Sequence, residues 1–333
     1  MAPALSTTRN LAQARTCWVV SDGTKGMEVQ SIGLAKAMGL EMKYIRITLP
    51  WLLRRLPRLA LLPRWPMPDD LLFAARDGWP DLVITTGHRM AGLSILIRRN
   101  AKGRTQSIHI QDPRLPATKF DYLIVPSHDR IRSKNVIITT GSLNALTPEV
   151  IKEAGTTLSS DIASLPKPIF VVMTGGSNHR YRVRRPDYYD LGKFMALVAC
   201  KRGGSLAFVL SRRSQDDAGD AIKQGAGSIP ADIPIYIWNG EDPNPYPGIL
   251  DLADAVIVTS DSVNMTSEAC LTGKSVYTYA FREETGRISK FHKIMQTSGY
   301  TSPLEQLLEG EFTENNGRIL DETARVAALL RGR

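Results

Sequence analysis

The sequence predicts an α/β protein of two successive doubly wound domains, each a parallel sheet with helices on both faces. Three observations predict it. Short apolar, β-branched runs recur along the 333 residues and read as strands buried on both sides. Helix-like stretches separate several of these runs, the pattern of βαβ winding. A break rich in Pro, Ser and Thr over 146–168 divides the chain into halves of about 150 residues, a size one core organises well. The first domain is expected over 1–148 and the second over 165–316. A last helix, drawn from 317–333, would pack back on the first domain.

The first half opens with a strand at Cys17-Trp18-Val19-Val20, turns through 21–27 and enters a helix over 28–39. Met27, Ile32, Leu34, Ala35 and Met38 supply its buried face, and Gly39 closes it. Strands follow at 42–49, 81–87, 107–110, 121–125 and 135–140, with a helix over 89–99. The second half restarts with a strand and loop over 168–178, then a helix over 188–202 ended by Gly203 and Gly204. Strands at 205–211, 233–239, 253–262 and 275–280 complete it, with a helix running to Gly273. The architecture repeats; the residues do not.

Lys and Arg number 42 against 33 Asp and Glu, a net charge of +9, which favours a polyanionic partner. Anionic lipid or a phosphorylated substrate fits; no nucleic-acid motif accompanies the charge, so nucleic acid is disfavoured. Cys17, Cys200 and Cys270 lie far apart without a CxxC pair, so neither a disulfide framework nor a zinc site is indicated. No apolar run is long enough to span a bilayer. The first 16 residues carry Arg9 and Arg15 and no acid, and read as a short tail rather than a secretory signal. A cytoplasmic protein, peripheral on the inner face of the cytoplasmic membrane, is expected.

In open parallel sheets ligands bind beyond the carboxyl ends of strands, and four loops stand there. In 259–274 a strand delivers Ser260 and then Asp261 or Ser262 as a helix cap. The N–H groups of Ser262, Val263 and Asn264 would meet an anion, aided by the helix dipole. Glu268 follows Asn264 by four residues, on the same helix face, where a carboxylate can accept two ribose hydroxyls. A capped helix with one exposed acid is the plainer alternative. In 173–180, Gly175 and Gly176 let backbone approach a phosphate, with Ser177 and Asn178 as donors; a simple tight turn is the alternative. In 211–214, Arg212 or Arg213 could grip a diphosphate, or both could be solvated. Asp216, Asp217 and Asp220 suit a helix first turn better than a metal site. Asn239, ending the 233–239 strand, joins the nucleotide-side set.

The fourth loop, 21–28, holds Asp22 and Glu28 as base candidates and Lys25 as a ligand for an acidic acceptor, against the alternative of an Asp-Gly turn. His88 is a further base candidate, and His109 and Asp112 are acceptor-side candidates; lone histidines are often structural. Residues 49–68 alternate Leu and Trp with arginines and hold no acid. Trp51, Arg54, Arg55, Arg58 and Trp65 suit the headgroup boundary of an anionic membrane, unless the segment packs on its own domain.

The runs SDGTKGMEVQSIGLAKAMGL, HIQDPR, DYLIVPSHD, NVIITTGSLN, GGSNHRYR, SRRS, NPY and SDSVNMTSEACLTGKSVY resemble the plant mitochondrial-fission (elongated-mitochondria) family and its bacterial relatives, over about residues 17 to 282. That resemblance implies a GT-B fold, two Rossmann-like domains facing across a cleft. More distantly, GGSN and SDSVNMTSEACLTGK are similar to the donor half of the lipid-linked peptidoglycan N-acetylglucosaminyltransferase. By that similarity Ser177 and Ser262 to Asn264 would hold the diphosphate and Glu268 the ribose. The glycine-rich loop of that enzyme ends in a histidine and SDGTKGM has none, so the base stays open. Retaining GT-B enzymes often carry a glutamate eight positions before the ribose glutamate; here Ser260 stands there, and inversion is expected.

The expectation is a metal-independent, inverting glycosyltransferase without a cofactor. It would move sugar from a nucleoside-diphosphate donor, such as a UDP-sugar, to a lipid-linked or envelope glycan. The alternatives are a nucleotide-sugar epimerase and a non-catalytic membrane-associated adaptor on the same scaffold.

Overall fold

Most of the central strands form where both faces are buried. A computed structural model describes residues 11–49, 51–62, 64–178, 181–240, 244–310 and 317–332, without the side chain at 53. The expected tail up to residue 10, and the last two residues of the 173–180 loop, lie outside the described residues. The strands of the first half are β1 (Thr16–Ser21), β2 (Glu41–Arg46), β3 (Leu82–Thr86), β4 (Gln106–Ile110), β5 (Tyr122–Pro126) and β6 (Val136–Thr139). Those of the second are β7 (Ile169–Thr174), β8 (Ser205–Leu210), β9 (Ile235–Trp238), β10 (Ala255–Thr259), β11 (Ser275–Tyr279) and β12 (Ser302–Pro303). All pairings between them are parallel. Side chains alternate across each sheet. Phe170 and Val172 of β7 enter one core, while Ile169, Val171 and Met173 enter the other.

The described chain folds as two compact units, the first running to Ala145 and resuming at Asp321, the second spanning Leu146–Leu320. The Pro- and Ser-rich break is therefore folded structure of the second unit. Its helices Pro148–Gly155 and Ser160–Ala163 place Ile151 and Ile162 in the core with Val171. The helix Glu322–Arg331 belongs to the first unit, where Val326, Ala327 and Leu330 share a core with Leu34, Ala35 and Met38. Glu322 accepts from the Thr140 N–H at 2.7 Å, fixing the start of that helix.

Strand order places the loops that matter. The second sheet runs β12-β11-β10-β7-β8-β9, the 3-2-1-4-5-6 order of dinucleotide-binding folds, and reverses direction between β7 and β10. The first sheet runs β2-β1-β3-β4-β5-β6 and reverses between β1 and β3. Outgoing loops separate at each reversal and leave a crevice at the strand ends. The loops after β7 and β10 carry the GGSN and SDS runs; the loops after β1 and β3 carry Asp22 and His88.

Candidate functional site

In the second unit one polar relay ties together the loops after β7, β8 and β10. The Gly175 N–H donates to the Thr259 hydroxyl at 2.7 Å, and that hydroxyl donates to Asp261 Oδ1 at 2.7 Å. Asp261 Oδ2 pairs with Arg213 Nη2 at 2.5 Å. The Asp261 side chain is wholly buried, so its charge is tolerable only because it is paired. Glycine is required beside it. A Cβ on Gly175 would sit 2.1 Å from Asp261 Oδ1, and one on Gly176 would sit 2.0 Å from the Arg213 carbonyl oxygen.

The helix Val263–Leu271 starts at the same point. Ser262 is its cap, its hydroxyl accepting from the Met265 N–H at 3.3 Å, so Asp261 is left to the relay. Among the described residues no group accepts from the N–H of Ser262 or Val263. These amides and the helix dipole make a place for an anion at the reversal between β7 and β10. Behind it, His292 Nε2 donates to the Ser260 carbonyl at 2.7 Å; a carbonyl only accepts, so Nε2 carries the proton. The Ser260 hydroxyl donates to Glu284 Oε1 at 2.9 Å, and the Tyr181 hydroxyl to the same oxygen at 2.8 Å.

Glu268 is half-buried on that helix, and its Oε2 accepts from the Tyr246 hydroxyl at 2.7 Å. Burial pushes its pKa up from 4.5 to about 7, with the Tyr246 hydrogen bond offsetting only part. Because the folded state then holds a proton that the unfolded state has released, stability should fall as pH rises from 4.5 to about 7. Glu268→Gln is expected to remove that slope. Thermal melts of both proteins across the window check it, and parallel profiles would refute the assignment.

The remaining nucleotide-side residues divide by what occupies them. Arg212 is exposed and has no polar partner among the described residues, whereas Arg213 is engaged by Asp261. The Ser177 hydroxyl exchanges hydrogen bonds with the Val183 backbone at 3.0 and 3.3 Å, and Asn178 Oδ1 accepts from the Tyr181 N–H at 3.3 Å. The side chains of the GGSN run thus shape their own turn, leaving its backbone as the near surface. Asn239 is exposed at the end of the edge strand β9.

In the first unit, Asp22, His88 and Asp112 come together beyond the strand ends. Asp22 Oδ2 lies 4.0 Å from Arg89, and Asp112 accepts from the Arg114 N–H at 2.7 Å. Burial, then the charges of Arg114 and Arg89, hold the His88 pKa below 6.5, against the opposing pull of Asp112 and Asp22. Its imidazole is therefore neutral at pH 7 and able to take a proton. Glu28 is buried and accepts from Tyr44, from Lys25 at 3.2 Å and from Ser21 at 3.3 Å. Burial raises its pKa, but these contacts outweigh it and hold the carboxyl below 4.5, which makes it a poor base. His109 lies wholly inside β4, its Nδ1 2.7 Å from the Thr85 hydroxyl and its ring against Phe120. Burial and nearby His88 push its pKa to about 3, so it stays a neutral core group beneath the loop. Gln111 and Arg114 take φ of 74° and 53°, strained for non-glycine residues, in the loop that holds Asp112.

Tyr246, Glu284 and His292 have no role in the sequence reading, although NPY contains the tyrosine. Their partners lie 22, 24 and 32 residues away, and only the folded second unit brings them together.

Residues 25–333 match the family described as Mitochondrial fission ELM1. The chain is 32% identical to the mitochondrial fission protein ELM1 of Arabidopsis thaliana over 249 residues, 67% of this chain and 57% of that protein. The match thus spans little more than half of the plant protein's length. Among solved structures, MurG of Acinetobacter baumannii is similar with a TM-score of 0.56 at 12% identity, over 96% of this chain and 100% of that one. UDP-GlcNAc 2-epimerase of Neisseria meningitidis, bound to UDP-GlcNAc, is similar with a TM-score of 0.54 at 12% identity, over 95% and 98%. Such distant likeness speaks for the fold, two Rossmann-like α/β domains of the GT-B type. A sequence match over nearly the whole chain speaks for descent: the protein belongs to the mitochondrial fission ELM1 family.

Proposed function

We propose that the protein transfers a sugar from a nucleoside-diphosphate sugar, UDP-linked, to a membrane-associated or envelope glycan, with inversion and no metal requirement. The observation that carries this reading is the pair of amides, Ser262 and Val263, at the β7–β10 reversal, with Glu268 farther along the same helix. The amides hold the pyrophosphate, and Glu268 accepts the ribose hydroxyls beside Tyr246. Arg212 and the helix dipole neutralise the departing diphosphate. The first unit binds the acceptor, with Lys25 and Asp112 at its rim and Asp22 beside the reacting hydroxyl. His88 takes the proton as that hydroxyl attacks the anomeric carbon. The bond from that carbon to the diphosphate oxygen breaks with its electron pair on the diphosphate. The Neisseria protein's bound UDP-GlcNAc supports the choice of nucleotide.

The test is incubation with a panel of UDP-sugars, with and without membrane-extracted glycan acceptors, preceded by thermal shift with the free diphosphates. UDP is expected to raise the melting temperature, since at a hundred times Kd it adds about 2.7 kcal/mol to the native state. Sugar should then appear on the acceptor. An epimer formed without acceptor would replace transfer by epimerisation. No shift with any nucleoside diphosphate would leave a non-catalytic adaptor.

A further inference from the structure

Between β2 and β3 the first unit carries apolar surface that its own fold leaves uncovered. The excursion is well anchored from within. Ala60, Met67, Leu71 and Ala74 share a core with Trp18 and Val83, and Arg99 donates to the carbonyls of Leu62 at 2.7 Å and Trp65 at 3.1 Å. Trp65, expected among the outward residues, packs half-buried against that core. The outward side chains are different ones. Trp51 is 68% exposed and Phe73 69%, with Leu56, Leu62 and Leu72 each about half exposed. Five of the ten large exposed apolar side chains among the described residues thus fall within 51–73, a concentration rather than a scatter.

Arginines accompany them. Arg54, Arg55, Arg58, Arg64 and Arg76 are exposed in the same excursion, and Arg76 lies over the Phe73 ring at 5.2 Å. Asp69 and Asp70 offset part of this charge and sit in the first turn of the helix Asp69–Ala74; Asp77 is held by Lys43 at 3.0 Å. The charge selects the occupant. A second copy of this face would set arginines against arginines, whereas an anionic bilayer offers acyl chains to the rings and phosphates to the guanidinium groups.

We propose that the exposed apolar side chains and arginines of residues 51–62 and 64–76 form a docking surface for the headgroup–acyl boundary of an anionic bilayer. Trp51, Phe73 and the three leucines enter the interface, and the arginines take up lipid phosphates. This stands apart from the sugar-transfer reading, and its test uses no nucleotide. The full chain is floated with vesicles of phosphatidylcholine alone and of phosphatidylcholine with about a third phosphatidylglycerol. Binding to the anionic vesicles only, weakened by salt, is expected. The variants Trp51→Ser with Phe73→Ser, and Arg54→Gln with Arg55→Gln and Arg58→Gln, should each lower vesicle affinity by about tenfold or more at unchanged melting temperature. Absence of wild-type flotation, or variants that float like the wild type, would overturn the proposal. So would a wild-type self-association that the first variant abolishes, which would assign the face to a second copy.

Discussion

Arg213→Ala is expected to destabilise the second unit by about 3 to 5 kcal/mol, the cost of leaving a buried carboxylate without its counter-charge. The Asp261 side chain is closed to solvent, and the substitution would take away its cationic partner while leaving the Thr259 hydrogen bond. Arg213 itself is 38% exposed, so water can enter the vacated space and place the loss toward the lower end. Its neighbour provides the control. Arg212 touches no polar group among the described residues, and Arg212→Ala should alter stability by no more than about 0.5 kcal/mol. Denaturant melts separate the two. Adding Asp261→Asn to Arg213→Ala should recover part of the loss, because the unpaired charge goes with it. Equal midpoints for the two arginine variants would mean that the relay does not hold the loops.

His88→Gln is expected to lower turnover by about a hundredfold to ten-thousandfold, the range of a positioned general base, while UDP affinity stays unchanged. The loops proposed to hold the nucleotide all belong to the second unit and His88 to the first, so on that proposal binding and chemistry separate between variants. The pH profile adds a second signature. A base must be unprotonated, and burial with Arg114 and Arg89 holds the imidazole below 6.5, so turnover should fall only below that value. Arg114→Ala removes a repelling cation and should move that limb upward. If Glu268 accepts the ribose hydroxyls as proposed, its carboxylate form is needed, and UDP affinity should decline on acidification through about pH 7, above the turnover limb. Single-turnover kinetics and calorimetric titration distinguish the two limbs. Full turnover in His88→Gln would pass the role to Asp22.

Much of the architecture is readable in residues because parallel strands covered on both sides are largely apolar along their length. β3, β7, β8 and β10 are buried at every position, and each appears as an expected strand. Elements without that requirement are harder to read. β12 has two residues at a sheet edge, and the helix Gly286–Thr297 buries Ile288, Phe291, His292 and Met295 among charged neighbours. The candidate site divides in the same way. Ser262, Gly175 and Gly176 act through backbone and cap chemistry, which local sequence encodes. Arg213 and Asp261 each suggest a ligand contact in isolation; the fold pairs them with each other across 48 residues, which no local spacing announces. His109 fails for a related reason. Its place at the end of an apolar run suits a loop as well as a core, and only burial against Phe120 decides.

The sugar-transfer proposal requires the amides opening the helix at Val263 to grip a pyrophosphate. Backbone amide resonances followed during titration with UDP, and with uridine as the phosphate-free control, test it most directly. UDP should shift Ser262 and Val263 most, with Gly175 and Gly176 moving at the same concentrations, and uridine should leave all four nearly in place. Saturable shifts confined to other residues, or equal responses to uridine, would rule out a pyrophosphate site at this helix end.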